Sequence, residues 1–198
     1  MKLLLHACCA PCSGAILESL VREGANVAVY YSNSNIFPIE EYEHRRDECR
    51  RYAEGMGVAF IEDPWEHEAW LKAVKGLENE PERGSRCSEC FRLRLLRAAR
   101  FAQENGDDTI ATTLASTRWK NLEQVDAAGQ WACAQVEDVL FWAKNWRKGG
   151  LQERRNSIIK EQNFYNQTWC GCEFSQTSPS SCRPVLDGAD RQSNFSQT

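Results

Sequence analysis

The first apolar positions form one unbroken run, Leu3-Leu4-Leu5, which stops against the stretch His6-Ala-Cys-Cys-Ala-Pro-Cys-Ser13. Such a run predicts a strand buried on both faces, over Lys2 to His6. Apolar positions return at helical spacing at Ile16, Leu17, Leu20 and Val21, with Ser13 placed to cap that helix and Gly24 to close it. A second apolar, β-branched run from Ala25 to Tyr31 completes a strand, helix, strand unit. That unit implies parallel pairing with a right-handed crossover.

The alternation continues along the chain. A charged helix is expected from about Glu40 to Glu54, a short strand at Val58 to Ile61 and a helical stretch around Trp65 to Val74. After the turn-rich segment Glu78 to Ser85, a helix is expected from about Cys90 to Glu104. Phe91, Leu95, Ala98, Ala99 and Ala102 share one of its faces, with Arg94, Arg97 and Arg100 opposite. A strand at Thr109 to Leu114, a helix over about Leu122 to Ala134, a strand over about Glu137 to Trp142 and a helix over about Leu151 to Asn163 follow. The pattern predicts a single α/β domain with a mainly parallel sheet flanked by helices. From Ser175 onward the chain is rich in Ser, Gln, Asn, Pro and Gly without apolar periodicity, so residues 1–175 are expected to form the domain and 176–198 a disordered or loosely attached tail. No internal repeat is present.

Composition narrows the function. With 198 residues, 42% hydrophobic, the chain suffices for one well-buried domain and is too short for two of ordinary size. The net charge of −4 argues against bulk coating of nucleic acid, while leaving room for a local basic face. No apolar run reaches the roughly 18 residues of a membrane span, and the opening Met1-Lys2-Leu3-Leu4-Leu5 is too short for a secretory signal, so a cytoplasmic protein is expected. Ten cysteines in such a setting point to metal binding or redox chemistry rather than structural disulfides.

The cysteines fall into three groups: Cys8, Cys9 and Cys12; Cys87-Ser-Glu-Cys90; and Cys170-Gly-Cys172. An open parallel sheet gathers the loops at the carboxyl ends of its strands, so the groups are expected to converge there as a loop-borne metal site. Cys8 and Cys9 with Cys87 and Cys90 would supply four thiolates, which suit tetrahedral zinc or an iron-sulfur cluster. Cys9-Ala-Pro-Cys12 also has the form of a thioredoxin-like pair at a helix start, which leaves Cys87 and Cys90 without a role. Cys170-Gly-Cys172 is too tight for a relaxed disulfide, so it is either a redox-active pair or part of a second metal site. Cys49, Cys133 and Cys182 read as small apolar residues.

Several strings together resemble the epoxyqueuosine reductases of the QueH type. They are HACCAPCS (6 to 13), YSNSNIFPIEEYE (31 to 43), GLENEPERGSRCSECF (76 to 91), Thr112-Thr113-Leu114, and Tyr165 through Trp169-Cys-Gly-Cys-Glu-Phe-Ser175. The resemblance covers essentially residues 1 to 175. It implies the last redox step of queuosine formation, in which the epoxide of epoxyqueuosine at the wobble position of tRNA is reduced to the alkene with loss of water. It further implies a [4Fe-4S] cluster without cobalamin, with Cys8, Cys9, Cys87 and Cys90 as ligands. Cys170 and Cys172 match a late pair that is either a redox-active disulfide or part of an adjacent iron site, and Cys12 stands where some members carry Asp, as a further ligand to that iron. An unidentified low-potential electron donor is implied. The sheet is expected to be of the PP-loop or HUP-like, Rossmann type. CCAPCS stands where a phosphate loop would be, so no ATP site is expected. The alternatives left by the residues are a zinc-stabilised RNA-binding module and a CxxC thiol-disulfide oxidoreductase.

Epoxide removal takes two electrons and two protons, and His6, Tyr31, Tyr165 and Glu43 are candidate proton donors. Contact with tRNA, rather than DNA, would use basic and aromatic side chains. Candidates are Arg45, Arg46, Arg50, Arg51, Arg118, Arg147, Lys148, Arg154 and Arg155. Arg83, Arg86, Lys120 and Trp169 are preferred, and Trp119 is a second stacking candidate. Members of the family tend to read Ser-Pro-x-Lys where this chain has Ser116-Thr-Arg-Trp-Lys120, and Tyr-Arg-Gln where it has Tyr165-Asn-Gln167. These departures fall on expected tRNA contacts and leave the cysteines intact.

Overall fold

The Leu3-Leu4-Leu5 run becomes the middle of the sheet. In a computed structural model of the chain, which describes residues 1–177, five strands are all parallel and ordered β3-β2-β1-β4-β5. They are β1 (Lys2–His6), β2 (Asn26–Tyr31), β3 (Ala59–Glu62), β4 (Thr109–Thr112) and β5 (Leu140–Phe141). Leu4 pairs with Ala28 of β2 on one side and Ile110 of β4 on the other, so Leu3, Leu4 and Leu5 are wholly buried. The chain winds outward from β1 through β2 to β3, then returns to β4 on the opposite side of β1. That reversal opens a crevice at the carboxyl ends of β1 and β4.

Seven α-helices flank the sheet among the described residues: α1 (Ala10–Arg22), α2 (Ile39–Gly55), α3 (His67–Ala73), α4 (Ser85–Asn105), α5 (Leu122–Cys133), α6 (Leu151–Glu161) and α7 (Glu173–Thr177). The expected 176–198 tail, Cys182 included, lies outside the described residues except for the last turn of α7. No helix among the described residues is long and apolar enough to cross a membrane.

Five local expectations are corrected. Ser13 does not cap α1: the helix begins at Ala10 with Cys9 at its cap, Pro11 occupies the first turn where an N–H is not needed, and Ser13 Oγ–H donates back to the Cys9 carbonyl at 2.9 Å. Helix α4 begins at Ser85 rather than near Cys90, because Gly84 supplies an extended cap and Glu80 accepts the Ser85 N–H at 3.1 Å. Cys87 and Cys90 therefore lie one turn apart on a single helix face. Arg94 does not share a solvated face with Arg100: it is 4% exposed and donates Nε–H to the Ser32 carbonyl at 3.1 Å, with a second bond to Asn33 Oδ1. Strand β5 is also shorter than the expected 137–142, and β4 ends at Thr112, where a 3-10 turn over Thr113–Ser116 begins.

Candidate metal centre

Cys8 and Cys9 emerge from β1 at the crevice, and Cys12 follows on the first turn of α1. The Cys8 N–H donates to Thr113 Oγ1 at 3.0 Å, which locks this turn to the one leaving β4, and the Thr113 hydroxyl lies 3.3 Å from Cys8 Sγ. The three sulfurs lie within 4.8 Å of one another. Cys8 Sγ and Cys9 Sγ are 3.8 Å apart. Thiolates that bind metal at 2.3 Å stand roughly 3.8 Å apart, so the group is close enough to take part in a metal site. Hydrogen bonds from Cys12 and Cys9, aided by Thr113 and Arg94, hold the Cys8 thiol well below its ordinary range. Its partner Cys12 is pushed up to about 12 by the bond to Cys8, and burial first, then its two neighbours, raises Cys9.

Cys87 and Cys90 are not in that group. With Cys170 and Cys172 they line a small cavity of about 20 Å³, together with Trp70, Arg86 and Lys120. The Cys172 N–H donates to Cys170 Sγ at 3.4 Å, and Gly171 between them is left-handed at φ 96°. Arg45, only 3% exposed, reaches over from α2 to hold this loop through the carbonyls of Cys170 (3.2 Å) and Trp169 (3.4 Å). The Cys172 hydrogen bond, with help from Lys120, draws the Cys170 thiol well down against the cost of burial. Burial would by itself depress the Lys120 ammonium, but the sulfurs of Cys170, Cys87 and Cys90 and the Glu82 carboxylate reverse this and raise it. The described cysteines are free thiols.

Both groups open on one larger cavity of about 340 Å³, lined by Cys8, Cys9, Cys12, Cys170, Lys120, Trp119 and Trp169 among others. Other preferred residues have local duties. Arg83 spans to the carbonyls of Trp119 and Arg118, each at 3.0 Å, and so fixes the loop carrying Trp119. Arg86 is 1% exposed and donates Nη1–H to the carbonyls of Glu78 and Glu80. Of the remaining arginines, Arg46 and Arg50 pair with Glu62, Arg154 pairs with Glu18 and Glu161, and Arg155 lines the large cavity.

The candidate proton donors do not line either cavity. His6 is fully buried between Thr112 Oγ1 (2.8 Å) and the Ser32 carbonyl (3.1 Å), and burial beside Arg94 lowers it to about 3, so it is a neutral clasp between strands. Tyr31 is buried and donates to the Tyr42 carbonyl, while Tyr165 is 38% exposed beside His44. Glu82, which the sequence reading passed over, lines both cavities, and burial together with Cys170 raises its carboxyl. Its signal was its place in the Glu-Pro-Glu-Arg run beside Cys87.

Fold and site together define a class: an α/β protein with a cysteine-built, metal-competent cavity at the carboxyl end of a parallel sheet. Residues 3–178 match the family model described as "Epoxyqueuosine reductase QueH". Proteins of that name from Histophilus somni and Acinetobacter baylyi are 43% and 42% identical to this chain, over 88% and 96% of it and 72% and 87% of their own lengths. One from Thermotoga maritima is 33% identical over 87% of this chain and 88% of its own length. The chain belongs to the QueH family.

Proposed function

We propose that this chain reduces the epoxide of epoxyqueuosine in tRNA to the alkene of queuosine, consuming two electrons and two protons and releasing water. What carries the reading is the set of seven cysteines lining two cavities that share Cys170 and Lys120, in a QueH-family chain. We place a [4Fe-4S] cluster at Cys8, Cys9, Cys87 and Cys90, and beside it a redox-active pair or second iron site at Cys170 and Cys172, with Cys12 as a further ligand to that iron. The donor set fits a metal group on a further ground. Trp70 Nε1 and Arg86 Nε and Nη2 are buried without partners beside the four thiols, and a buried donor left unpaired costs about 1–3 kcal/mol.

Bound there, such a group supplies one-electron transfer and Lewis acidity without cobalamin. The protein's own residues bind and orient. The larger cavity has room for a modified base, with Trp119 and Trp169 as stacking surfaces and Arg155 at its rim. Arg45 lies over Trp169, 5.3 Å from the ring centroid, and steadies it. Glu82 is placed to hold a proton near the departing oxygen, and Lys120 to balance negative charge. The electrons come from a low-potential donor, and a tRNA substrate agrees with a cytoplasmic location.

The test is complementation of a bacterial strain that accumulates epoxyqueuosine. Expression of this chain should restore queuosine in its tRNA, and the Cys87→Ser variant should not. Persistent epoxyqueuosine with well-expressed wild-type protein would refute the reading.

A further inference from the structure

Four buried polar atoms without partners belong to residues around the small cavity: Trp70 Nε1, Arg86 Nε, Arg86 Nη2 and Asn35 Oδ1. Arg86 uses one end of its guanidinium, Nη1, on the carbonyls of Leu77, Glu78 and Glu80. The other two nitrogens have no hydrogen-bond partner, and the guanidinium lies over the Phe174 ring, 5.5 Å from its centroid. Trp70 is clamped as a ring, stacked on His67 at 5.4 Å and on Phe174 at 5.8 Å, while its N–H has no acceptor. Asn35 presents an amide end whose oxygen and nitrogen exchange by a half-turn. The other polar features of the cavity are the thiols of Cys87, Cys90, Cys170 and Cys172, the Lys120 ammonium, Glu82, Arg94 and Ser175. N–H donors left unpaired in residues that line a thiol-rich cavity match the hydrogen bonds that metal-bound sulfurs accept.

We propose that Trp70 and Arg86 are positioning residues that donate N–H···S hydrogen bonds to the sulfurs of the metal centre at Cys87 and Cys90, and thereby set its reduction potential. The inference rests on the metal reading given above. An added electron makes the centre more negative, and donors fixed beside its sulfurs stabilise that state over the oxidised one. Reduction therefore becomes easier, which suits a centre that must be loaded by an outside donor. Two different elements supply the donors, α3 for Trp70 and α4 for Arg86, so each can be removed separately.

The experiment uses protein reconstituted anaerobically with iron and sulfide, titrated electrochemically and followed by electron paramagnetic resonance. Trp70→Phe keeps the ring stack and removes only the N–H; Arg86→Lys keeps a charge and removes the fork. Each should bind iron as the wild type does, yet hold the reduced state about tenfold less at a fixed potential, a downward shift of about 59 mV for one electron. Should Trp70→Phe fail to load metal, Arg86→Lys carries the comparison. Loaded variants with the wild-type potential overturn this inference and leave the metal reading standing. A wild-type chain that takes up no iron overturns both.

Discussion

His67 on α3 holds its Nε2 3.1 Å from Glu173 Oε1, one residue beyond Cys172, and its Nδ1 2.8 Å from the Ser34 carbonyl. The ring joins two segments that are far apart in sequence and fixes the exit of the Cys170-Gly-Cys172 loop. Replacing His67 with Leu removes both bonds. The expected cost is about 1–2 kcal/mol, a Tm lower by about 3–6 °C in a chain of this size. Labelling of Cys172 by a thiol reagent should accelerate, whereas buried Cys49 should be unaffected. Equal acceleration at both would mean general loosening instead.

Gly171 sits where a side chain cannot. At φ 96°, an added Cβ would lie 2.9 Å from Ile36 Cγ1 and 3.1 Å from Arg45 Nη1. Gly171→Ala should cost about 1–3 kcal/mol and disturb the metal site although no thiol is lost. Gly55→Ala, at a helix position with open space around it, should be neutral or stabilising by about 0.5–1 kcal/mol. Urea midpoints and iron content for the two variants check the contrast.

Glu18 on α1 takes Arg154 of α6 at 2.6 and 2.8 Å and the Tyr52 hydroxyl at 3.0 Å. The Arg154 hydrogen bond, seconded by Tyr52, lowers its carboxyl. Because the folded value lies below the unfolded one, the contribution is present above the ordinary carboxylate value of 4.5 and is lost as pH falls through the folded value. The site is largely exposed, so the contribution is about 0.2–1 kcal/mol and shrinks with salt. Glu18→Gln should remove that acid-side loss; an unchanged pH profile of the urea midpoint would contradict the assignment.

Much of this was legible in the sequence. The Leu3-Leu4-Leu5 run, the Gly24 stop and the return of β-branched residues at Val27 and Val29 specify a parallel unit with no need of distant partners. Periodicity failed where partners are remote. Arg94 looks solvated on a helical wheel, but its acceptor at Ser32 is 62 residues away. Likewise the early start of α4 depends on Glu80 reaching Ser85, and it turns Cys87-x-x-Cys90 from a loop motif into one helix face. The three cysteine groups were visible as strings. Their division into a tight trio and a wider quartet depends on α1 beginning at Ala10, which holds Cys12 against Cys8.

The proposed ligand set gives a prediction about metal content. Cys8→Ser and Cys87→Ser should each lose the broad visible absorbance of an iron-sulfur cluster, while Cys170→Ser and Cys172→Ser should largely keep it and lose activity. If Cys8→Ser keeps that absorbance, or Cys170→Ser and Cys172→Ser lose it, the ligand set is wrong.

The central claim is a reaction, and one measurement addresses it directly. Anaerobically reconstituted protein is incubated with a chemical reductant and tRNA bearing epoxyqueuosine, and the nucleosides are then weighed by mass spectrometry. The account predicts loss of one oxygen from the modified nucleoside, with none when zinc replaces iron. An epoxyqueuosine mass that stays unchanged beside a fully loaded iron protein would contradict it.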